Sequence, residues 1–431
     1  MSILSRVLQQ ARRPLYRNAI VLMGNSGLGA GLGFLFWAIT ARLYPPSEVG
    51  LASAAISSAL FVATVSLLGL PYALVRFAPT AAGGLATVTT TVVVAVTLVS
   101  GVVGSVFVAG VHTWAPNIQD LAPLPELAAA MVTLSAATGA STVLVYASVG
   151  ARDTRPALAA GAVHGIVKSA LVLLFAFVLL RVGFSVLLAW MVGTLAAVAA
   201  QVFLLRSQLA PRFDLQLLRF GTFLRYSAGN WAADLAWTAP GLLFPLLVVS
   251  ILGAEENAYF FIAWAVASLL AGIPTAVSSS LLAEGSHDQA ETAAHLRRSL
   301  RFTLPIVAAA SAVCLVGSSV VLGVFGAPYA DAGVLTLRLL SLAALPLSLN
   351  MLYLTVARVE LDVRRILLIA AGTGGGALVL AMILIGGLGA PGVALGYLIA
   401  HATVAAILSV DGLLRSRTKR ERAPRQRSVA G

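Results

Sequence analysis

Apolar residues fill long stretches of this chain, and polar residues are confined to the gaps between them. A helix needs about 20 mainly apolar residues to cross the hydrocarbon core of a bilayer. Twelve stretches meet this requirement, at 18–42, 49–75, 84–112, 124–150, 156–180, 184–206, 218–252, 257–283, 299–325, 332–357, 365–387 and 391–413. Several contain Gly and Pro, which membrane helices tolerate better than soluble helices do. The pattern predicts an all-α polytopic membrane protein with twelve transmembrane helices.

Composition excludes most soluble classes of protein. Hydrophobic residues make up 59% of the chain and charged residues 10%, whereas a typical soluble domain carries about 25% charged residues. A soluble enzyme and a soluble nucleic-acid-binding domain are therefore excluded, and no nucleic acid partner is predicted despite the net charge of +12. Cys314 is the single cysteine, so an internal disulfide is impossible. No cofactor and no metal site are predicted.

The positive charges define an orientation in the membrane. If the amino terminus is cytoplasmic, 24 of the 28 Lys and Arg residues fall in cytoplasmic segments. Cytoplasmic loops carry an excess of Lys and Arg in membrane proteins. Omitting one helix would invert every later loop and remove this bias. We therefore predict a multi-pass protein of the cell (inner or plasma) membrane with both termini cytoplasmic.

The two halves of the chain resemble each other at an offset near 207 residues. Glu48 and Glu256 are 208 residues apart, and Tyr146 and Tyr353 are 207 apart. Six helices form an even number, so both halves insert in the same orientation, as parallel repeats related by a pseudo-twofold axis along the membrane normal. This organisation predicts two six-helix lobes, with a substrate path at their interface. The predicted units are an amino-terminal lobe at 1–206, a cytoplasmic loop at 207–217, a carboxy-terminal lobe at 218–413 and a basic disordered cytoplasmic tail at 414–431.

Two segments carry a resemblance to a known family. ARLYPPSEVGLASAAISSALFVATVSLLGLPYALVRFAP, at 41–79, resembles the first two helices of the polysaccharide-unit flippases, and ILGAEENAYFFIAWAVASLLAGIPTAVSSSLLAEGS, at 251–286, resembles their second-half counterpart. These flippases belong to the multidrug/oligosaccharidyl-lipid/polysaccharide exporter superfamily. The helix count and the 6+6 repeat agree with that superfamily over nearly the whole chain.

The resemblance implies a transporter and not an enzyme. Its substrate would be a lipid-linked oligosaccharide, moved from the cytoplasmic to the outer leaflet by alternating access of the two lobes. The implied partners are membrane lipids, Na⁺ or H⁺ as a coupling ion, and a glycan polymerase or glycosyltransferases. The alternative is a cation-coupled small-molecule exporter, of the multidrug type, in the same superfamily.

Asp234 is the most prominent polar residue in a predicted span. Members of the family often carry an acidic residue nearer the end of helix seven, where this chain has Phe244, so Asp234 is the nearest substitute. A carboxylate at that depth costs a few kcal/mol on insertion scales, so it is expected to face a cavity or a partner. We predict Asp234 as the ion-coupling residue. The alternative is a polar contact between helices.

Other candidates for the cavity wall occur on several predicted helices. Tyr226, Asn230 and Trp237 share the face of Asp234 at helical spacing. His164 and Lys168 are one turn apart on helix five, where they would meet a pyrophosphate, pair with Asp234 as a proton relay, or make a structural contact. Asn25 on helix one is a further candidate for the cavity wall. Arg76 and Arg225 lie near cytoplasmic helix ends, where they are predicted either to bind a pyrophosphate or to anchor the helices.

Overall fold

The computed structural model describes residues 14–77, 84–151, 153–178, 181–209, 221–287 and 291–427, and its long elements are all helices. The amino-terminal half contains α1 (Pro14–Leu43), α2 (Pro46–Ser66), α3 (Leu70–Phe77), α4 (Gly84–Ala109), α5 (Leu124–Gly150), α6 (Arg155–Val178) and α7 (Gly183–Leu205). The second half contains α8 (Gly221–Leu252), α9 (Ala254–Ser268), α10 (Gly272–His287), α11 (Thr292–Val316), α12 (Ala327–Val359), α13 (Val363–Ala370) and α14 (Gly376–Arg427).

The predicted fold class is confirmed. Ten helical segments of the described residues are long and apolar enough to cross a membrane, and a shorter apolar helix covers Gly27–Leu43. One of the ten, Val363–Asp411, contains two passes that meet at Gly389, where the backbone is non-helical. Gly389 has a φ of 63°, which glycine adopts without the steric cost that a side chain brings. The described residues therefore contain about 10 to 12 apolar helices long enough to cross a membrane, arranged as two lobes.

Several predicted spans consist of two helices instead of one. The span predicted at 49–75 is divided into α2 and α3 by Leu68 and Gly69, both at positive φ. The span predicted at 257–283 is divided into α9 and α10 by a 3-10 turn at Leu269–Ala271. The hydropathy of the sequence does not reveal either break, because both breaks are changes in backbone dihedral angles within apolar sequence. The breaks occur in corresponding helices of the two halves.

The boundaries between the predicted units lie partly outside the described residues. The predicted inter-lobe loop at 207–217 is described only to residue 209, and α8 begins at Gly221. The last helix, α14, continues to Arg427, whereas the sequence predicted disorder from residue 414. Six of the residues at 414–427 are Arg, which has a high intrinsic helix propensity.

The pseudo-twofold relation is visible in contacts of residues 207 positions apart. The side-chain amide of Asn257 in α9 donates a 2.7 Å hydrogen bond to the carbonyl oxygen of Gly50 in α2. The ring pair Trp37 and Trp190, with centroids 5.8 Å apart, corresponds at the same offset to the pair Phe244 and Tyr397, with centroids 6.0 Å apart. The repeat seen in the sequence is therefore also a repeat of packing.

Among the described residues, the two lobes share a hydrophobic core at one end of the bundle, which we call the shared end. It is the end at which α1 and α8 finish and α2 and α9 begin, and one apolar cluster there contains residues of both lobes. Arg42 adds a polar link, since it donates to the carbonyl oxygens of Gly323 and Val324 in the other lobe at 2.8 Å each.

At the opposite end, which we call the split end, each lobe has its own apolar cluster. Leu70, Leu74 and Val88 belong to a cluster of the amino-terminal lobe. Ala233, Leu354 and Ile369 belong to a cluster of the carboxy-terminal lobe. At the shared end the lobes are thus joined by a common apolar core together with polar contacts such as those of Arg42. At the split end the described apolar clusters belong to one lobe each, and polar side-chain contacts connect the lobes. The split end is the end predicted to be cytoplasmic.

Replacing Gly50 tests the close approach of α2 and α9. A Cβ atom at Gly50 would overlap the backbone carbonyl of Ala254, and neither backbone can move without separating the lobes. We expect Gly50→Val to destabilise the protein by about 1–3 kcal/mol, the range for overpacking. The measurement is thermal unfolding of the purified protein in detergent. Gly101→Ala is the matched control because a Cβ there meets nothing within 4 Å, and equal melting temperatures for both variants would contradict this packing.

Candidate functional site

Asp234 joins the two lobes at the split end. One of its carboxylate oxygens accepts a hydrogen bond from the hydroxyl of Tyr72, on α3 of the amino-terminal lobe. The other oxygen accepts a 2.8 Å charge-assisted hydrogen bond from the guanidinium of Arg358, near the end of α12. The side chain of Asp234 is 29% exposed and that of Arg358 is 37% exposed, so both groups are partly accessible.

A second link lies beside this carboxylate. The indole N–H of Trp231, less than one turn before Asp234 on α8, donates a 3.0 Å hydrogen bond to the carbonyl oxygen of Val65 in α2. The ring of Tyr72 packs edge-on against Tyr146 of α5, with centroids 5.3 Å apart. Both tyrosines therefore present an aromatic wall of the amino-terminal lobe to the carboxylate of the other lobe. Polar contacts of this kind separate at lower cost than apolar burial, because water can replace each partner.

Sequence reasoning identified Asp234 but missed its partners. Arg358 entered only as one of the cytoplasmic positive charges, and Tyr146 only as a repeat position of Tyr353. Nothing in the sequence marked Tyr72 as a partner of Asp234, because an isolated Tyr near a helix end is common in membrane proteins. Periodicity places residues on a face of one helix, but it does not show which residues of a distant helix oppose that face.

Trp237 lies inside the carboxy-terminal lobe. Its ring meets that of His401 edge-on, with centroids 5.8 Å apart, and His401 is buried. Asn350, also buried, donates a 2.9 Å hydrogen bond to the carbonyl oxygen of His401. Trp237 therefore belongs to a packed aromatic and amide cluster one turn from Asp234, and its predicted place on the cavity wall stays a prediction.

A cavity of about 280 Å³ lies within the amino-terminal lobe, between α2, α5, α6 and α7. His164 and Trp190 line it, with their rings edge-on and the centroids 5.1 Å apart. Lys168 lies one turn beyond His164 and is 4% exposed. Its ammonium group lies 3.6 Å from the ring centroid of Trp190 and 4.9 Å from that of Phe36, an arrangement typical of cation–π contacts.

The structure brings His164 and Lys168 together but does not pair Lys168 with Asp234. The carboxylate of Asp234 bonds to Tyr72 and Arg358, whereas the ammonium group of Lys168 contacts aromatic rings inside the amino-terminal lobe. The proton relay between Lys168 and Asp234 that the sequence left open is therefore not formed in this arrangement of the lobes.

The remaining candidates lie outside the described side chains. Their predicted roles as parts of the cavity wall or as phosphate-binding groups stay predictions: Asn25, Arg76, Arg225, Tyr226 and Asn230.

Solved structures with the same architecture are membrane transporters. An inward-facing multidrug resistance MATE family transporter of the MOP superfamily superposes with a TM-score of 0.66 at 16% identity, covering 94% of this chain and 99% of that chain. An outward-facing MATE family transporter gives 0.63 at 16% identity, covering 95% and 96%. A MOP superfamily transporter from Pyrococcus furiosus, described as having a binding pocket of reverse polarity, gives 0.62 at 16% identity, covering 93% and 95%.

Sequence comparisons define the family. A search of curated proteins gave no match. The family model described as "Polysaccharide biosynthesis protein" matches residues 15–283, which is more than half of the chain. The likeness to these structures shows a shared two-lobe fold. The chain belongs to the family described as "Polysaccharide biosynthesis protein".

Removing the hydroxyl of Tyr72 tests the contact at the split end. A hydrogen bond to a charged group contributes about 1.5–3 kcal/mol, and partial exposure lowers this toward about 1 kcal/mol, or about fivefold in an equilibrium. We expect Tyr72→Phe to shift the lobes toward greater separation at this end. Spin labels at Val149→Cys and Val363→Cys, both exposed there, in a Cys314→Ser background, measure the distance.

Tyr353→Phe is the matched control, because the ring of Tyr353 packs within the carboxy-terminal lobe near Arg365. The same distance distribution for Tyr72→Phe, Tyr353→Phe and the parent protein would show that the Tyr72 contact does not hold the lobes together.

Proposed function

We propose that this protein is a flippase that moves a lipid-linked oligosaccharide, a polysaccharide repeat unit, from the cytoplasmic to the outer leaflet. The observation that carries the proposal is the match of residues 15–283 to a polysaccharide biosynthesis family, on a two-lobe exporter fold. In this proposal the glycan and its pyrophosphate enter between the lobes while the lipid tail stays in the bilayer. Alternating access follows from rocking of one lobe against the other.

The inter-lobe contacts support different roles for the two ends of the bundle in transport. The shared end is closed by a continuous apolar core, whereas the split end is connected by Tyr72, Asp234 and Trp231. A glycan is polar and needs an aqueous entrance. In the proposed mechanism the glycan enters at the split end once the contact of Tyr72 with Asp234 has separated.

Asp234 also offers a route for ion coupling. A proton or Na⁺ that binds its carboxylate competes with Arg358 and Tyr72 for the same oxygens, so occupation by the ion weakens the contact between the lobes. An ion shifts the equilibrium between two states only by its difference in affinity for them. Here that difference arises because the carboxylate is occupied by protein donors in one state and is free in the other.

A small-molecule exporter of the same superfamily is the second candidate. The carboxylate of Asp234 favours it, because a cationic substrate needs an acidic group. Lys168, a buried cation beside the described cavity, favours the glycan. The two candidate functions predict different results when the protein is depleted or overexpressed in cells.

Depletion of the protein tests the flippase directly. We expect lipid-linked glycan to accumulate in the cytoplasmic leaflet, because synthesis continues there while transfer stops. A membrane-impermeant sugar-modifying reagent separates the surface pool from the inner pool in intact cells. As the control, expression of the gene from a plasmid should restore the normal distribution of lipid-linked glycan between the leaflets. An unchanged distribution, together with efflux of cationic dyes on overexpression, would favour the small-molecule exporter.

Asp234→Asn tests the coupling role. The amide keeps the size of the side chain but cannot carry charge, so Arg358 loses its ionic partner and the site no longer responds to protons or Na⁺. We expect transport in proteoliposomes to become independent of an imposed H⁺ or Na⁺ gradient and to slow by at least about tenfold, equivalent to about 1.4 kcal/mol. Asp331→Asn, at an exposed position, is the control. Undiminished gradient-driven transport by Asp234→Asn would remove this residue from the coupling mechanism.

A further inference from the structure

Hydroxyl groups form part of the lining of the cavity in the amino-terminal lobe. They belong to α5 and α7, where the lining includes Thr138, Ser141, Thr142 and Thr194. The hydroxyls of Thr142 and Thr194 each donate to a carbonyl oxygen of their own helix, which leaves their lone pairs as acceptors. These groups offer hydrogen-bond partners to a ligand that carries hydroxyl groups, beside apolar lining residues such as Leu60 and Trp190 that suit the faces of a sugar ring.

Two polar atoms of this lining are buried without a partner. The hydroxyl oxygen of Thr138 and Nε2 of His164 have no hydrogen-bond partner among the described residues, although both side chains line the cavity. Leaving a buried donor or acceptor unpaired costs about 1–3 kcal/mol. A bound polar ligand would supply the missing partners.

Lys168 is not a lining residue, but it places a positive charge against Trp190, which lines the cavity. Ala157, Gly161 and His164 are lining residues on one face of α6, and Lys168 continues that face by one further turn. The ring of Trp190 contacts both the cavity and the ammonium group. Any anion bound against His164 and Trp190 therefore lies close to this charge, in surroundings of low dielectric where the attraction is strong.

No acidic residue of the amino-terminal lobe is placed to neutralise Lys168 from within the membrane. Residues 1–206 contain four acidic side chains, and all lie at helix starts or in connections: Glu48, Asp120, Glu126 and Asp153. Glu48 accepts from the backbone N–H of Gly183, and Asp153 from that of Arg155. A buried ammonium group without a carboxylate is costly unless it obtains a counter-charge. The counter-charge is therefore expected from a ligand.

The size of the cavity limits what this ligand can be. Its volume of about 280 Å³ is close to the lower end of the range of about 300–1,000 Å³ for ligand pockets, which suits one substituted sugar ring better than a whole oligosaccharide. We propose that this cavity binds a single negatively charged sugar residue, with its ring hydroxyls on Thr138, Ser141 and His164 and its charge directed toward Lys168. The inference rests on the proposed function and deepens it, because it names the kind of sugar residue that the flippase accepts.

Two sources supply a charged sugar. The charge is either a carboxylate within the glycan or the phosphate that links the first sugar to the lipid carrier. The test measures binding of four probes to the purified full-length protein in lipid nanodiscs by calorimetry: glucuronate, glucose 1-phosphate, glucose and inorganic phosphate. We expect at least one of the charged sugars to bind at least tenfold more tightly than both glucose and phosphate. Tighter binding of glucuronate assigns the charge to the glycan, and tighter binding of glucose 1-phosphate assigns it to the carrier linkage.

Variants of Lys168 assign the preference to this cavity. We expect Lys168→Met to reduce the affinity for the charged sugar to that for glucose, and Lys168→Arg to keep the preference. Arg338→Gln removes one positive charge from the other lobe, where Arg338 bonds to Ser318 and the carbonyl oxygen of Leu315, and should leave the preference unchanged. If Lys168→Met does not fold, Thr138→Val serves instead and should weaken binding of the same sugar at least threefold.

Equal affinities for charged and neutral sugars, equal affinity for inorganic phosphate, or no binding of either charged sugar would overturn the inference. So would a preference that persists in Lys168→Met, or unchanged binding by Thr138→Val where that variant serves. These outcomes are independent of the leaflet distribution after depletion. Inner-leaflet accumulation without a charge preference would retain the flippase and reject the site, and loss of both would reject the proposed function as well.

Discussion

The approach of α2 to α9 at Gly50 is the contact on which the arrangement of the two lobes depends. The backbones meet so closely there that a single Cβ atom does not fit, and the side chain of Asn257 closes the contact by bonding to the carbonyl oxygen of Gly50. The two residues are related by the 207-residue offset of the repeat, so the contact lies on the pseudo-twofold axis. Apolar side chains of both lobes pack around it.

The physical difference between the two ends follows from this constraint. Apolar burial closes the shared end, and separating it would expose a large apolar surface, which is costly in water. At the split end the lobes meet through the carboxylate of Asp234, the hydroxyl of Tyr72 and the indole N–H of Trp231. These groups exchange their partners for water at a small net cost. The structure therefore has one end suited to stay closed and one end suited to open in this state.

The two halves of the chain differ at positions that line the cavity of the amino-terminal lobe. Trp190 and Thr194, which line the cavity of the amino-terminal lobe, correspond at an offset of 207 to Tyr397 and His401. In the carboxy-terminal lobe those residues pack against each other, with ring centroids 4.4 Å apart, and Asn350 bonds to His401. The same backbone positions thus line a cavity beside a buried cation in one lobe and form a filled aromatic cluster in the other.

The sequence by itself determined the all-helical membrane fold, the series of apolar spans and the repeat, because lipid requires long apolar helices and the repeat preserves polar positions such as Glu48. It also singled out Asp234 and the adjacent pair His164 and Lys168 as candidates, because charged residues are rare in apolar spans; their functional roles stay predictions. Only the tertiary structure decided that Arg358 and Tyr72 hold Asp234, and that aromatic rings surround Lys168. Those partners lie on helices distant in the chain, and periodicity within one helix carries no information about which helix faces it.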